Sequence, residues 1–457
     1  MKRMKYFAFA AILLCSTALF QACVSETDNP ADAVDPAEQE AIVNRDVLTS
    51  HIESDARLLA DNINSESFNA TSQVLAQLLA LIGNDKNFIP NMRTFFSALS
   101  ERKSLLNIYP VKSGSELAKM GYLLYIVVDT GGLGVQVIFD GEGGSRLNPA
   151  DHLEFIFPAT VDGFGTTLFK VIVKNSEDCY QAVGDAQIPN VKRVGCVTRL
   201  SKTITMTVTG FIDNQEKTLS QSVINLELPQ NENSEYVSFD AGSFKLYGSQ
   251  SAYLNDNSKT ALDYSLAMDG DQMALDYGYS NNGMSVISCN MQMVLPQKEN
   301  FNSQMSQDAF NIADLKSLSV RFVNDMSIAG TFSGGAAFSD AFSTVIQNRQ
   351  QTSSADVLNK AITSLNESCT LQMTCDEMTK PEILKFCLVQ NDGNTLIEPA
   401  LKDLKSDELI PLSAFLDAQT MEAFSQPFKD SFSPAGNASG SVLKLFSALM
   451  QMIPLGK

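Results

Sequence analysis

The chain has no tryptophan and only two histidines, His51 and His152, in 457 residues. Two histidines exclude a polyhistidine metal site within one chain. The missing indole removes the ring that most readily stacks on sugars, although 27 Phe and 11 Tyr leave other aromatic platforms open. Eight cysteines are present without a CxxC spacing, which argues against a thiolate metal site. HExxH, Walker A and Rossmann spacings are absent. Gly436-Asn437-Ala438-Ser439-Gly440 misses the nucleophile-elbow pattern by one position. Nothing in these spacings calls for a cofactor or a bound metal. Cations are scarce too: 33 Lys and Arg stand against 52 Asp and Glu, a net charge of −19. Phosphate backbones need cationic partners, so a nucleic-acid partner is excluded. The acidic balance suits a surface that must stay soluble.

What is present begins at the N-terminus. Lys2, Arg3 and Lys5 make a positive head, and Tyr6 to Leu19 make an apolar run too short for a permanent membrane span. Leu19-Phe20-Gln21-Ala22-Cys23 follows, a small residue directly before a cysteine. This segment resembles a bacterial lipobox, with Phe20 and Gln21 where that motif more often carries smaller or aliphatic residues. The resemblance implies cleavage after Ala22 and acylation of Cys23, so that the mature protein reaches a membrane through its N-terminal acyl chains. Each buried methylene contributes about 0.8 kcal/mol, and the two or three chains of a bacterial lipoprotein hold firmly. Val24-Ser25-Glu26-Thr27-Asp28 resembles the acidic export signal of surface lipoproteins of the Bacteroides group. That implies the outer membrane, with exposure at the cell surface as one possible arrangement.

The chain then divides by pattern. Residues 1–22 read as signal peptide and 23–40 as lipidated cysteine and flexible acidic tether. Residues 41–118 read as helical, with helices near 40–65, 71–82 and 91–106; Leu48, Ile52, Ala56, Leu59 and Ile63 recur at three- and four-residue steps. Residues 119–300 change to period two and read as an antiparallel sheet. Its clearest strand is Thr203–Thr209, with Ile204, Met206 and Val208 on the face to be buried and threonines on the wet face. Asn281-Asn282-Gly283 between alternating segments marks a hairpin. Residues 301–457 mix hairpins with helices, including helices at 304–315, 412–424 and 439–453, packed on the same sheet. The fold class expected is α+β: N-terminal helices, a large antiparallel β-meander, and C-terminal helices packed on it.

Three groups of residues are candidates for chemistry. Six cysteines remain after Cys15 and Cys23, an even number that permits disulfides outside the cytoplasm. Cys179 and Cys196 flank a loop-like segment and form the best pair. Cys369, Cys375 and Cys387 cluster, so a second bridge, Cys369 with Cys387, is plausible; free buried thiols are the alternative. Lys192, Arg193, Arg199 and Lys202 concentrate positive charge around Cys196 and could contact an anionic partner or lipid headgroups, or simply be solvated. Asp151 and His152 are the sole adjacent acid–histidine pair. Neighbours on a strand face opposite ways, so no dyad between them is expected.

These observations favour a lipid-anchored envelope protein that binds or scaffolds at the bacterial outer membrane without catalysis. A carrier of a lipid or other amphiphile, held in a cavity between sheet and helices, is the second reading. A hydrolase with an unrecognised site is the third; it needs buried carboxylates, or His152 with a Ser or Cys partner, in one cleft. The ligand itself, protein or amphiphile, is not specified by the sequence.

Overall fold

The computed structural model describes residues 36–414, apart from 63–65, 104–105, 129–133, 141–143, 189–190, 214, 230–233, 239–242, 256–257, 295–313, 324–325, 348–353, 392–393, 404–405 and 407. Ala22, Cys23 and the acidic tether as far as residue 35 lie outside the described residues; 36–40, expected as tether, are helical. So does the expected helix at 439–453, and nearly all of those at 304–315 and 412–424; only a 3₁₀ turn, Leu412–Ala414, is described at the last of these.

Three helices open the described chain: α1 (Pro36–Asn62), α2 (Glu66–Asn84) and α3 (Phe88–Lys103). Each lies within a few residues of the periodic stretch that predicts it. Contacts then sort the described residues into two compact units. One is continuous, 66–269, here the central unit; the other joins 36–62 with 270–414, here the split unit.

In the central unit eight strands pair in the spatial order β4-β3-β5-β6-β9-β10-β12-β13. They are β3 (Gly134–Phe139), β4 (Ser145–Ala150), β5 (Leu153–Val161), β6 (Gly165–Asn175), β9 (Thr203–Ile212), β10 (Gln215–Glu227), β12 (Ser243–Asn255) and β13 (Ser258–Asp269). Every pairing is antiparallel except β3 with β5. The inner face carries Val135, Val137, Phe155, Phe157, Phe169, Val171, Met206 and Val208, all buried. The α2 residues Val74, Leu75, Leu78 and Ile82, on one helical stripe, close over it, joined by Phe88 and Met92 of α3. Gln73 and Gln77 dock α2 onto the open end of β5 by imitating a peptide unit. Asp162 N–H donates to Gln73 Oε1 at 2.9 Å and Thr160 N–H to Gln77 Oε1 at 3.1 Å, while the two side-chain amides donate back to Asp162 Oδ2 and Thr160 O.

A second sheet of the central unit, order β1-β2-β8-β7-β11, is made by β1 (Leu106–Pro110), β2 (Leu124–Val128), β7 (Cys179–Ile188), β8 (Val191–Ser201) and β11 (Val237–Ser238). It is inserted into the connections of the first, β7 and β8 between β6 and β9. A short helix, α4 (Glu116–Lys119), begins at Ser115, whose Oγ accepts from Ala118 N–H at 3.3 Å.

The split unit is a sequential meander: β14 (Gln272–Asn281), β15 (Met284–Val294), β16 (Leu315–Phe322), β17 (Ser327–Phe332), β18 (Cys369–Thr374), β19 (Glu382–Asn391), β20 (Asn394–Lys402) and β21 (Leu409–Pro411), each antiparallel to the next. The expected hairpin at Asn282-Gly283 forms, and both residues take positive φ, 50° and 83°, as a primed turn demands. Helices α5 (Ala336–Gln347) and α6 (Ala355–Ser368) interrupt the meander between β17 and β18. Asn366 of α6 repeats the amide device of α2, giving Nδ2 to Phe386 O and taking Phe386 N–H on Oδ1, both at 2.8 Å. Helix α1 is tied to this unit by Asn44, whose Oδ1 accepts from Thr379 N–H at 3.1 Å, and by Arg45 beside Glu382 at 3.8 Å.

The protein is mostly β, which overturns the α+β expectation. The physical reason is proportion: among the described residues strands far exceed helices, β1 lies inside the segment expected to be helical, and β7 and β8 fill the segment between Cys179 and Cys196 that reads as a loop because Gly184, Asp185 and Gly195 interrupt its alternation. Strands elsewhere also run past the alternating cores that announce them, as in β10 and β12.

Phe157 and Leu168 test the two-faced sheet. Phe157 is fully buried on the inner face, whereas Leu168 is 54% exposed on the other. Phe157→Ala should cost about 3–5 kcal/mol in chemical denaturation. Leu168→Ser should stay within about 0.5 kcal/mol, as exposed substitutions do.

Candidate functional site

The outer face of the central sheet is where alternation leaves side chains to solvent, and it is organised. Gln136 lies opposite Asn148 on one side and Glu154 on the other. Asn148 Nδ2 donates to Gln136 Oε1 at 3.2 Å, and Gln136 Nε2 donates to Glu154 Oε2 at 2.7 Å. Lys170 Nζ stands 3.7 Å from Glu154 Oε1 and 3.1 Å from Glu216 Oε1. Glu216 Oε1 also accepts from Thr209 Oγ1 at 2.9 Å. A single polar ladder thus crosses β4, β3, β5, β6, β9 and β10.

Its charges are internally paired. Glu154 is 9% exposed, and its second carboxylate oxygen faces the Lys170 ammonium. The Lys170 hydrogen bond, then that from Thr209, hold the Glu216 carboxyl below the usual carboxylate range. A general acid needs the opposite shift from that of Glu216, and a lysine between two carboxylates suits ionic and hydrogen-bonding contact. Apolar surface adjoins the ladder at one end: Leu168 and Phe211, 54% and 51% exposed, fall opposite each other by the register that pairs Phe169 with Gly210.

The structure places the expected site residues elsewhere and apart. Cys179 and Cys196 lie in strands, not around a loop. Cys179 pairs with Ser201 and Cys196 with Gly184, so the two are separated by five positions of β7, roughly 16 Å. A disulfide needs Cα atoms within about 7 Å, so this expected bridge is corrected. Cys369 and Cys387 also remain free thiols. The register pairing Leu371 with Leu384 puts Cys369 in phase with buried Phe386, which leaves Cys387 on the opposite face. Burial pushes the thiols up, to about 11 for Cys369 and Cys387 and about 12 for Cys289. Cys375 is raised by burial as well, partly offset by backbone hydrogen bonds from Glu377 and Met378. Thiols shifted this way are protonated and poor nucleophiles.

The four basic residues do not gather. Lys192 and Arg193 are consecutive positions of β8, and Arg199 is six positions further, roughly 20 Å along the strand. Arg199 Nη2 donates to Glu177 O at 3.4 Å. Lys202 Nζ pairs with Asp178 Oδ1 at 3.0 Å and sits 5.0 Å above the Tyr180 ring. The Asp178 hydrogen bond raises the Lys202 ammonium above its ordinary value. These two cations therefore brace the turn before β7.

Asp151 and His152 correct a second expectation, because they do contact each other. They occupy the turn between β4 and β5, where strand alternation does not apply, and Asp151 Oδ1 meets His152 Nδ1. The chain crosses the start of β3 in these two residues. A Cβ at Gly134 would come within 2.4 Å of Ala150 O and His152 N, so glycine is required at the crossing. The His152 hydrogen bond lowers the Asp151 carboxyl, which is 92% exposed. An open turn at the surface supplies no cleft for a triad.

The ladder residues Gln136, Glu154, Lys170 and Glu216 were not among the sequence candidates. Three of them do carry a signal, a lone polar residue between two core residues: Val135-Gln136-Val137, Leu153-Glu154-Phe155 and Phe169-Lys170-Val171.

No protein-family model matches the sequence, and no curated protein matches it. Among solved structures, a porin-like protein from Bacteroides vulgatus is similar over 46% of this chain and 81% of its own, at 10% identity and a TM-score of 0.15. A score that low lies far below that of a shared fold and supports no functional reading.

Lys170 is the test of the ladder. Lys170→Met leaves buried Glu154 without its cation and should cost about 1–3 kcal/mol at pH 7. Because the Glu216 carboxyl is depressed in the fold, its share of this stabilisation is present above the ordinary glutamate range and lost as pH falls through the lower folded value. The difference in denaturation midpoint between native and variant protein should therefore narrow below about pH 4.

Proposed function

We propose that the protein is a lipid-anchored component of the bacterial outer membrane that binds or scaffolds a partner without catalysis. One observation carries the binding part of this reading: the outer face of the central sheet bears a continuous ladder of amides and charges beside exposed Leu168 and Phe211. Such a face offers hydrogen bonds and apolar contact to a flat polar partner. The anchor rests on Lys2 to Cys23 and the acidic run after it, which resemble a lipoprotein leader. The thiols that burial keeps protonated and the Glu216 carboxyl that Lys170 holds low lend a hydrolase reading no support.

Intact mass of the membrane-extracted protein, with fractionation and protease shaving of whole cells, tests the anchor. The native protein should begin at Cys23, carry acyl mass and partition with outer membranes. Cys23→Ala should lose the acyl mass and leave that fraction. A native protein without acyl mass contradicts the anchor, and protection from shaving places it on the inner leaflet.

A further inference from the structure

The apolar seam between α2 and the central sheet contains four hydroxyls with no hydrogen-bond partner among the described residues. Thr71, Ser220, Ser222 and Thr260 are 0–1% exposed, and none of their hydroxyl oxygens has a hydrogen-bond partner. Three of them, Ser220, Ser222 and Thr260, lie close together. Ser220 is opposite Ala252, which is opposite Thr260; Ser222 is opposite Gln250, itself 1% exposed. Residues directly opposite on antiparallel strands project from the same face, so these side chains share the inner face of β10, β12 and β13. Ser220 and Thr260 are two strands apart, about 10 Å, with only the small side chain of Ala252 between them.

Helix α2 packs on the same strands, and Thr71 is buried on it. Just past its C-terminus Asp85 accepts from Ser145 Oγ of β4, and its middle holds β5 through Gln73 and Gln77. The same helix also packs on β10 and β12, and Thr71 lies on its buried stripe with Phe68, Val74 and Leu75. Burying a hydroxyl without a partner is penalised, and native interiors leave few such groups. Four such groups in one seam, with the Gln250 amide beside Ser222, call for a partner.

We infer that this seam binds a small neutral hydrogen-bonding group: ordered water, or the uncharged polar head of an amphiphile. The four hydroxyls each donate and accept, and none bears charge, so the chemistry that fits is neutral. A water in such a place needs two to four polar partners, which the cluster supplies. The inference does not depend on the membrane anchor.

The signs of two substitutions test it. If the hydroxyls are simply unsatisfied, Ser220→Ala and Ser222→Ala remove a penalty and raise the melting temperature. If the site is occupied, each removes a bond and lowers it by about 2–4 °C. The same full-length proteins are examined by ¹⁷O water relaxation dispersion and by native mass spectrometry. Long-lived internal water lost in the double variant supports the water arm. A co-purifying mass lost in the double variant supports the amphiphile arm. A melting temperature that holds or rises, or the absence of both signals, overturns the inference.

Discussion

Everything described for the central unit depends on one contact, the stripe of α2 against the inner face of its sheet. Val74, Leu75 and Leu78 are fully buried, as are Phe155, Phe157, Val171 and Val208 beneath them, with Phe169 almost so. Each such side chain contributes about 1.5–3 kcal/mol by leaving water. The contact also fixes register. A slip of one residue in β5 would bring Glu154 inward and Phe155 outward, so sealing the inner face determines what the outer face displays. The ladder from Asn148 to Glu216 is thus a by-product of the core in its placement, and a separate feature in its chemistry.

The edges of this contact show how the helices are held. Side-chain amides complete backbone edges in both units, Gln73 and Gln77 at the end of β5 and Asn366 at β19. A strand end near a helix exposes peptide groups that must be paired, and an amide side chain matches them donor for acceptor. This gives the helices a directional attachment that apolar packing alone does not supply.

Much of the fold is legible from residue pattern. The periodic stripe of α2, the alternation of β9 and the Asn282-Gly283 turn each follow from local chemistry and form as read. The misreadings have equally local causes. Gly184, Asp185 and Gly195 broke the period in β7 and β8, so a strand pair looked like a loop and Cys179 and Cys196 looked like its two ends. The site was less legible, because it arises from pairings distant in sequence. Gln136 meets Glu154 through a parallel pairing, and Lys170 meets Glu216 across β9; a single chain shows the isolated polar residues but not their partners. Asp151 and His152 failed for a different reason: the rule of opposite faces was sound, but it was applied to a turn. The buried hydroxyls of Ser220 and Ser222 sit in an alternating segment where serine reads as a solvent-facing residue.

The central claim is that α2 seals the inner face and so sets the outer one. Amide hydrogen exchange read peptide by peptide tests this most directly, since local stability shows where the cooperative core lies. The account predicts that α2 and strands β5, β6 and β9 form the slowest-exchanging set and lose protection together as denaturant is added. If α2 exchanged freely while those strands stayed protected, the sheet would be stable without its helix, and the claim would be contradicted.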